Sequence, residues 1–239
     1  MDENAWLTKN ENGETLLQLF KDKLDKTEKF DINQAIVKSV SNVGCGIENL
    51  DLLPSSLDLI EIQDSLPLIT ARGFHVTTPV VILKEAISDF LNEYDFVLID
   101  CPPNLGIITL NGIYISDYFF IPSIPDILST YGIPQILDRI DSFNQEAGID
   151  VKALGIVVSM YRAQSRLHDS TIEELKKNAA QENFPRLFDT IIPLTVRTAE
   201  AADFSTSVKT LRKKYGSGRV YENYNALTKE FVRYVGTSS

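Results

Sequence analysis

The residues best placed to do chemistry stand just after apolar runs. Residues 94–100 (YDFVLID) run directly into Cys101, Pro102 and Pro103. If that run is a strand of a parallel sheet, Asp100 sits at its carboxyl end, where such sheets bind ligands. A carboxylate there can hold magnesium, mostly through water, beside a nucleotide's phosphates; it can equally cap the next turn. Residues 161–167 (YRAQSRL) follow another run and carry two arginines. Residues 194–201 (LTVRTAEA) offer Arg197 among small side chains, suited to a phosphate, to a partner or to plain solvation. Residues 209–219 (KTLRKKYGSGR) hold five cations, Lys209, Arg212, Lys213, Lys214 and Arg219, and no acid. In a chain of net charge −10 this is a local reversal of sign. It can neutralise nucleic-acid phosphates with a steep dependence on salt, or be a solvated loop.

Other reactive residue types are sparse. Cys45 and Cys101 are too few for a disulfide framework and lack metal-ligand spacing, which points to a reducing cytoplasm. His75 and His168 lie far apart and match no zinc or triad signature, so both read as ordinary polar residues.

The elements that must position these groups change in kind along the chain. Up to residue 92 the pattern is helical: 11–25, a short stretch at 32–40, 57–69, and a helix that starts at Pro79 and runs to about 92. A glycine-punctuated turn at 41–48 precedes a short strand-like alternation at 49–54, and 72–78 reads as loop. From 94 onward, nearly continuous apolar runs at 94–100, 118–122, 153–160 and 187–193 alternate with helical patterns at 106–115, 127–145 and 167–181. Continuous rather than alternating runs are what strands buried on both faces require. The fold class is therefore α/β, a mostly parallel sheet flanked by helices on both faces. A last helix, about 218–234, carries Val220, Tyr224, Leu227, Phe231 and Val232 toward the domain. No repeat or low-complexity linker interrupts the chain, so residues 1–239 read as a single domain.

Composition sets the outer limits. The 239 residues, 44% hydrophobic and 23% charged, are ordinary for a globular protein and enough to bury a sizeable core. No apolar run reaches membrane-spanning length, and residues 1–10 (MDENAWLTKN) lack the basic-then-apolar pattern of a secretory signal. The strongly acidic balance argues against a protein that coats nucleic acid with its whole surface.

Several spaced segments together resemble the ParA/Soj partition ATPases, of the deviant-Walker-A class that also contains MinD. Residues 94–111 (YDFVLIDCPPNLGIITLN) look like that family's apolar strand, Asp-x-Pro-Pro turn and Thr-x-Asn helix. Residues 192–201 (IPLTVRTAEA) resemble its IPxxVRxAEA segment, and 155–167 its strand and loop with a Met-aromatic pair. GSGRVYENYNALTKEFV is similar to its closing helix, and NLDLLPS to an earlier strand. The resemblance implies a P-loop NTPase-like fold that binds ATP and magnesium. It also implies dimers formed around nucleotide, DNA binding without sequence preference, and hydrolysis stimulated by a ParB-like partner. It implies Asp100 as the magnesium-associated acid, with Asp100, Pro102, Met160 and Pro193 on the nucleotide side. Arg197 and the cations Lys209, Arg212, Lys213, Lys214 and Arg219 become the DNA contacts. The implied location is the cytoplasm, at the nucleoid.

The family's KGGxGK[ST] phosphate loop, and the general G-x-x-x-x-G-K-[ST] pattern, do not occur in this chain. Residues 4–7 (NAWL) resemble the tail of the family's second conserved segment, so the chain reads as lacking the first strand, the phosphate loop and the first helix. ATP hydrolysis is accordingly not expected of it as given. Two further readings stay open: a non-catalytic ParA-derived module for DNA or a ParB-like partner, and a MinD-like positioning ATPase. The tail at 231–239 (FVRYVGTSS) has too short an apolar face for a MinD-like membrane helix.

Overall fold

The computed structural model describes residues 1–72, 78–201, 203–205, 207–216 and 218–238, the side chains of 68–72, 197, 237 and 238 excepted. The chain forms two compact units, Met1–Ser116 and Asp117–Ser239.

The first unit is helical. It contains α1 (Glu3–Glu11), α2 (Leu16–Asp25), the single turns α3 (Ile32–Ala35) and α4 (Leu59–Ile62), 3-10 segments at Gln63–Arg72 and Pro79–Val81, α5 (Ile82–Leu91) and α6 (Ile107–Tyr114). The helical pattern expected over 11–25 begins five residues late. Gly13, at φ +73, turns the chain between α1 and α2, and α1 is a helix the periodicity does not announce because none of its residues is buried. The pattern at 32–40 ends after one turn, since Val37 leaves it to pair antiparallel with Leu52. That lone bridge is also all that forms of the strand expected at 49–54. The helix expected over 57–69 tightens to 3-10 from Gln63, with Pro67 inside it. The core gathers Leu17, Phe20, Leu59, Leu66, Ile82, Leu83 and Ile87, with Ile107 and Ile108 of α6 packed against it.

Asn111 locks this core from within. It is fully buried; its side chain accepts a hydrogen bond from Leu83 N–H (3.0 Å) and donates to the carbonyls of Pro79 (2.8 Å) and Ile107 (2.9 Å).

One expectation fails here. Residues 94–100, read as a strand buried on both faces, are extended chain outside any sheet, with Leu98 74% exposed. An apolar run becomes a buried strand only when neighbours pair with its edges. Among the described residues of this unit none does.

The second unit is the α/β part: β1 (Tyr118–Ser123), α7 (Ile127–Ala147), β2 (Lys152–Val158), α8 (Arg166–Ala179), α9 (Val196–Glu200), α10 (Leu211–Tyr215) and α11 (Arg219–Ser238). β1 and β2 pair in parallel, and residues 186–194 run parallel along the other edge of β2 through bridges Ile156–Leu187 and Tyr161–Pro193. Asp126 and Ser165 cap α7 and α8, accepting from the N–H groups of Ser129 and His168.

β2 is buried on both faces, as its continuous apolar run requires. Ile156 and Val158 pack with Ile133 of α7 and Ile172 and Leu175 of α8. Leu154 and Val157 instead pack with Phe188, Leu227 and Phe231, the last two from α11. Strict alternation would put Leu154 on the face of Ile156; a register break explains the switch. Phe119 pairs with Ala153 and Phe120 with Gly155, leaving Leu154 as the extra residue of a bulge. Gly155 permits that bulge, because a Cβ there would lie 2.8 Å from the Arg186 carbonyl oxygen and 2.8 Å from the Phe188 ring. Gly155→Ala is expected to destabilise this unit by about 1–3 kcal/mol, as overpacking does, read by urea denaturation followed by tyrosine fluorescence. An unchanged midpoint would mean that the two strands part without cost.

Candidate functional site

In the second unit the carboxyl ends of three parallel segments converge. After β2, Ser159 N–H donates to the Ser123 carbonyl at the end of β1 (2.9 Å). Met160 then takes φ +52, its side chain half exposed, and this turn sets Tyr161 against the third segment. Tyr161 N–H donates to Ile192 O (3.1 Å), and Leu194 N–H returns a bond to Tyr161 O (2.9 Å). The turn at Met160 and the residue Pro193, distant in sequence, are thereby brought together.

Beside this junction lies an open cleft of about 730 Å³. It is lined by the apolar side chains of Ile172, Pro193 and Leu194 and by the cations Arg162, Lys176 and Arg219. Tyr161 donates to the Asp169 carboxylate (2.7 Å), and this bond pushes the phenol's pKa up. His168 Nδ1 accepts from Arg162 N–H (3.2 Å), so this histidine holds the loop that opens α8. Asp126 at the start of α7 is held below the usual carboxylate range, chiefly by the Ser129 N–H it caps. Cations and acids beside apolar side chains in one open cleft suit a small ligand with both apolar and charged groups.

The basic segment follows the same logic. Thr210 caps α10 by accepting from Lys213 N–H (3.2 Å), and Arg212 stands 5.8 Å from the Tyr221 ring centroid. Lys209, Arg212, Lys213 and Arg219 are exposed. Lys214 is buried and donates to the Asp203 carbonyl, so it ties α10 down rather than facing solvent. Arg219 also lines the cleft, which joins the basic segment to the strand ends. Arg197 lies in α9, with its side chain outside the described residues.

In the first unit Asp100 is exposed at the end of the extended run and Pro102 is half-buried. Asn104 accepts from Gly106 N–H (3.1 Å) at the start of α6. Cys101 is exposed as a residue, yet its thiol lies 3.3 Å from where a Cβ on Gly112 would stand. That burial, with Asp100's charge added, pushes the thiol's pKa up, the opposite of an activated nucleophile. No group of three or more potential metal-ligating side chains gathers among the described residues. His75 lies outside them.

Sequence reasoning missed the cleft's Asn223 and the Tyr161–Asp169 pair. It also missed Glu230 of α11, a buried carboxylate that accepts from the N–H groups of Asp189 (2.6 Å) and Thr190 (3.0 Å) and from Tyr234 OH (2.9 Å). Only the Glu230–Tyr234 spacing of one helical turn was visible beforehand. The backbone partners lie forty residues away.

A family model described as an AAA domain matches residues 3–153. The sporulation initiation inhibitor protein Soj of Bacillus subtilis is 30% identical over 155 residues, 65% of this chain and 57% of its own length. The chromosome partitioning protein ParA of Myxococcus xanthus is 27% identical over 184 residues, 77% of this chain and 60% of its own. The chain thus spans less than two thirds of the length of these relatives. Among solved structures, apo McdA of Cyanothece superposes with a TM-score of 0.65 at 19% identity, over 90% of this chain and 77% of that one. At that identity the likeness concerns the fold.

Proposed function

Because the chain belongs to the ParA/Soj-type family of partition ATPases, we propose that it serves DNA partition by binding DNA without sequence preference through its carboxy-terminal cations. The observation that carries this reading is the sign reversal at 209–219, five cations and no acid in a chain of net −10. Lys209, Arg212, Lys213 and Arg219 take the phosphate contacts, with Arg197 as a further contact from α9. Lys214 positions α10. A ParB-like partner and a homodimer in the cytoplasm, at the nucleoid, complete the reading.

ATP and magnesium belong to the family's chemistry. In this reading the exposed carboxylate of Asp100 is the magnesium-associated acid, and the sequence given holds no glycine-rich loop with its lysine to cradle a triphosphate. The side chains of Pro102 in the first unit, and of Met160 and Pro193 in the second, offer no phosphate donors. The residues present do not by themselves fit magnesium–ATP.

Fluorescence anisotropy with a labelled random-sequence duplex tests the DNA contact. Three to four neutralised phosphates should lower affinity roughly 40- to 150-fold between 50 and 200 mM salt. Arg212→Ala/Lys213→Ala should reduce the log–log salt slope by about 2. Binding that is insensitive to salt, or unaltered in the double variant, would remove the segment from the interface.

A further inference from the structure

The cleft beside the strand ends carries cations that the segment at 209–219 does not account for. It is built wholly from the second unit: the loop after β2, one face of α8, the end of the third parallel segment and the start of α11. Arg162 lines it from the loop and Arg219 from α11; both are exposed. Neither has a carboxylate partner among the described residues. Because α11 opens at Arg219, the positive end of that helix's dipole stands at the same place.

The remaining groups of the cleft are already engaged. Asp169 accepts from Tyr161 OH (2.7 Å), and Lys176 is paired with Glu173 at 2.8 Å. The outer edge of the third segment is closed as well. Glu230 accepts from the N–H groups of Asp189 and Thr190, Asn223 donates to the Ile191 carbonyl (3.3 Å), and Pro193 has no N–H.

These facts select the kind of ligand. A docked peptide strand needs main-chain partners, and this edge has few left. A small molecule needs polar groups that converge on it from within a pocket. Here the unengaged ones, Arg162, Gln164 and Arg219, are all exposed. Two unpaired guanidiniums in an open cleft suit a polymer of phosphates, which gains from several exposed contacts at once. Arg219 belongs to the cleft and to the basic segment alike, so the two surfaces are continuous.

We propose that DNA runs from the segment at 209–219 across this cleft, with Arg162 as a further phosphate contact. The inference rests on the DNA-binding reading and adds to it a residue from a different part of the chain. Glu173 bounds the track on the α8 side, since it holds Lys176 and repels phosphate.

The test is anisotropy of the full chain with a labelled random-sequence duplex at several salt concentrations. Arg162→Ala is expected to lower the log–log salt slope by about 1, and the affinity at 50 mM salt about tenfold. The Arg162 group that holds His168 is its main-chain N–H (3.2 Å), so the variant keeps the loop, and circular dichroism checks this. Arg139→Ala removes an exposed cation of α7 outside the cleft and should leave the slope unchanged. Glu173→Gln frees Lys176 and should tighten binding about threefold, a gain that no loss of folding produces. A salt slope that survives Arg162→Ala, or falls equally in Arg139→Ala, would overturn this inference and leave the contacts at 209–219 standing. Wild-type binding that is insensitive to salt would remove both. Displacement of the duplex by millimolar dAMP at constant ionic strength would overturn it in favour of a free phosphate ester.

Discussion

Asn111→Ala is expected to cost the first unit about 3 kcal/mol, and Asn111→Leu nearly as much. The alanine variant leaves Leu83 N–H and the Pro79 carbonyl buried without partners, and opens space beside Ile107. Each abandoned group costs about 1–3 kcal/mol. Leucine refills the volume but restores neither bond, so comparing the two variants separates the polar loss from the cavity. Trp6 is the only tryptophan, and its indole N–H donates to the Ser55 carbonyl (2.8 Å), so its fluorescence reports this unit's unfolding in urea. Full rescue by leucine would mean that packing, and not the hydrogen bonds to the start of α5, makes this residue matter. A loss under about 1 kcal/mol in both would mean that the Pro79–Ile82 turn holds itself.

Asn111 also shows what the sequence carries and what it withholds. Its place in the Thr-x-Asn helix was legible because the resemblance marked that segment. Its work was not, since the groups it ties lie 28 and 32 residues away. The second unit was the readable one. The runs at 118–122 and 153–160 became β1 and β2, and the patterns at 127–145 and 167–181 became α7 and α8 with small shifts at their ends. There the apolar periodicity and the burial have one cause, a sheet covered on both faces. In the first unit several patterns were interrupted by local chemistry that periodicity does not encode: the turn at Gly13, the 3-10 stretch around Pro67, the bridge that takes Val37 out of a helix. The run at 94–100 was read from the same signal as β2 and came out differently. Apolar β-branched sequence states a preference for burial between strands, and it says nothing of whether those strands are present. At the candidate site, the strand ends and the cation cluster followed from position and charge. The cleft did not, because Tyr161, Asp169, Arg219 and Asn223 meet only after three separate segments have packed.

Glu230→Ala is expected to loosen α11 from the sheet by about 3 kcal/mol. Burial by itself would raise this carboxyl's pKa. The bonds it accepts from Asp189 N–H, Thr190 and Tyr234 OH outweigh that burial and hold it below its ordinary value of 4.5. Removing it breaks two charge-assisted hydrogen bonds to the partly buried N–H groups of Asp189 and Thr190, each worth about 1.5–3 kcal/mol. It also frees Tyr234, whose ring meets Phe188 edge-on at 4.9 Å and lies under the Arg186 guanidinium at 4.5 Å. The third parallel segment is held by Phe188 N–H to Ile156 O (2.9 Å) and Ile156 N–H to Arg186 O (2.8 Å). Those two amides should exchange with solvent roughly a hundredfold faster in the alanine variant, at 1.4 kcal/mol per tenfold. Because the folded-state pKa is depressed, the carboxylate's contribution is fully present above about pH 4.5 and is lost as pH falls through the lowered folded value. Glu230→Gln keeps one acceptor and has no charge to titrate, so the gap between the wild-type chain and this variant should narrow between pH 6 and pH 3. A gap that stays constant across that range would place the effect in shape and not in charge, and α11 would then be held by its aromatic contacts alone.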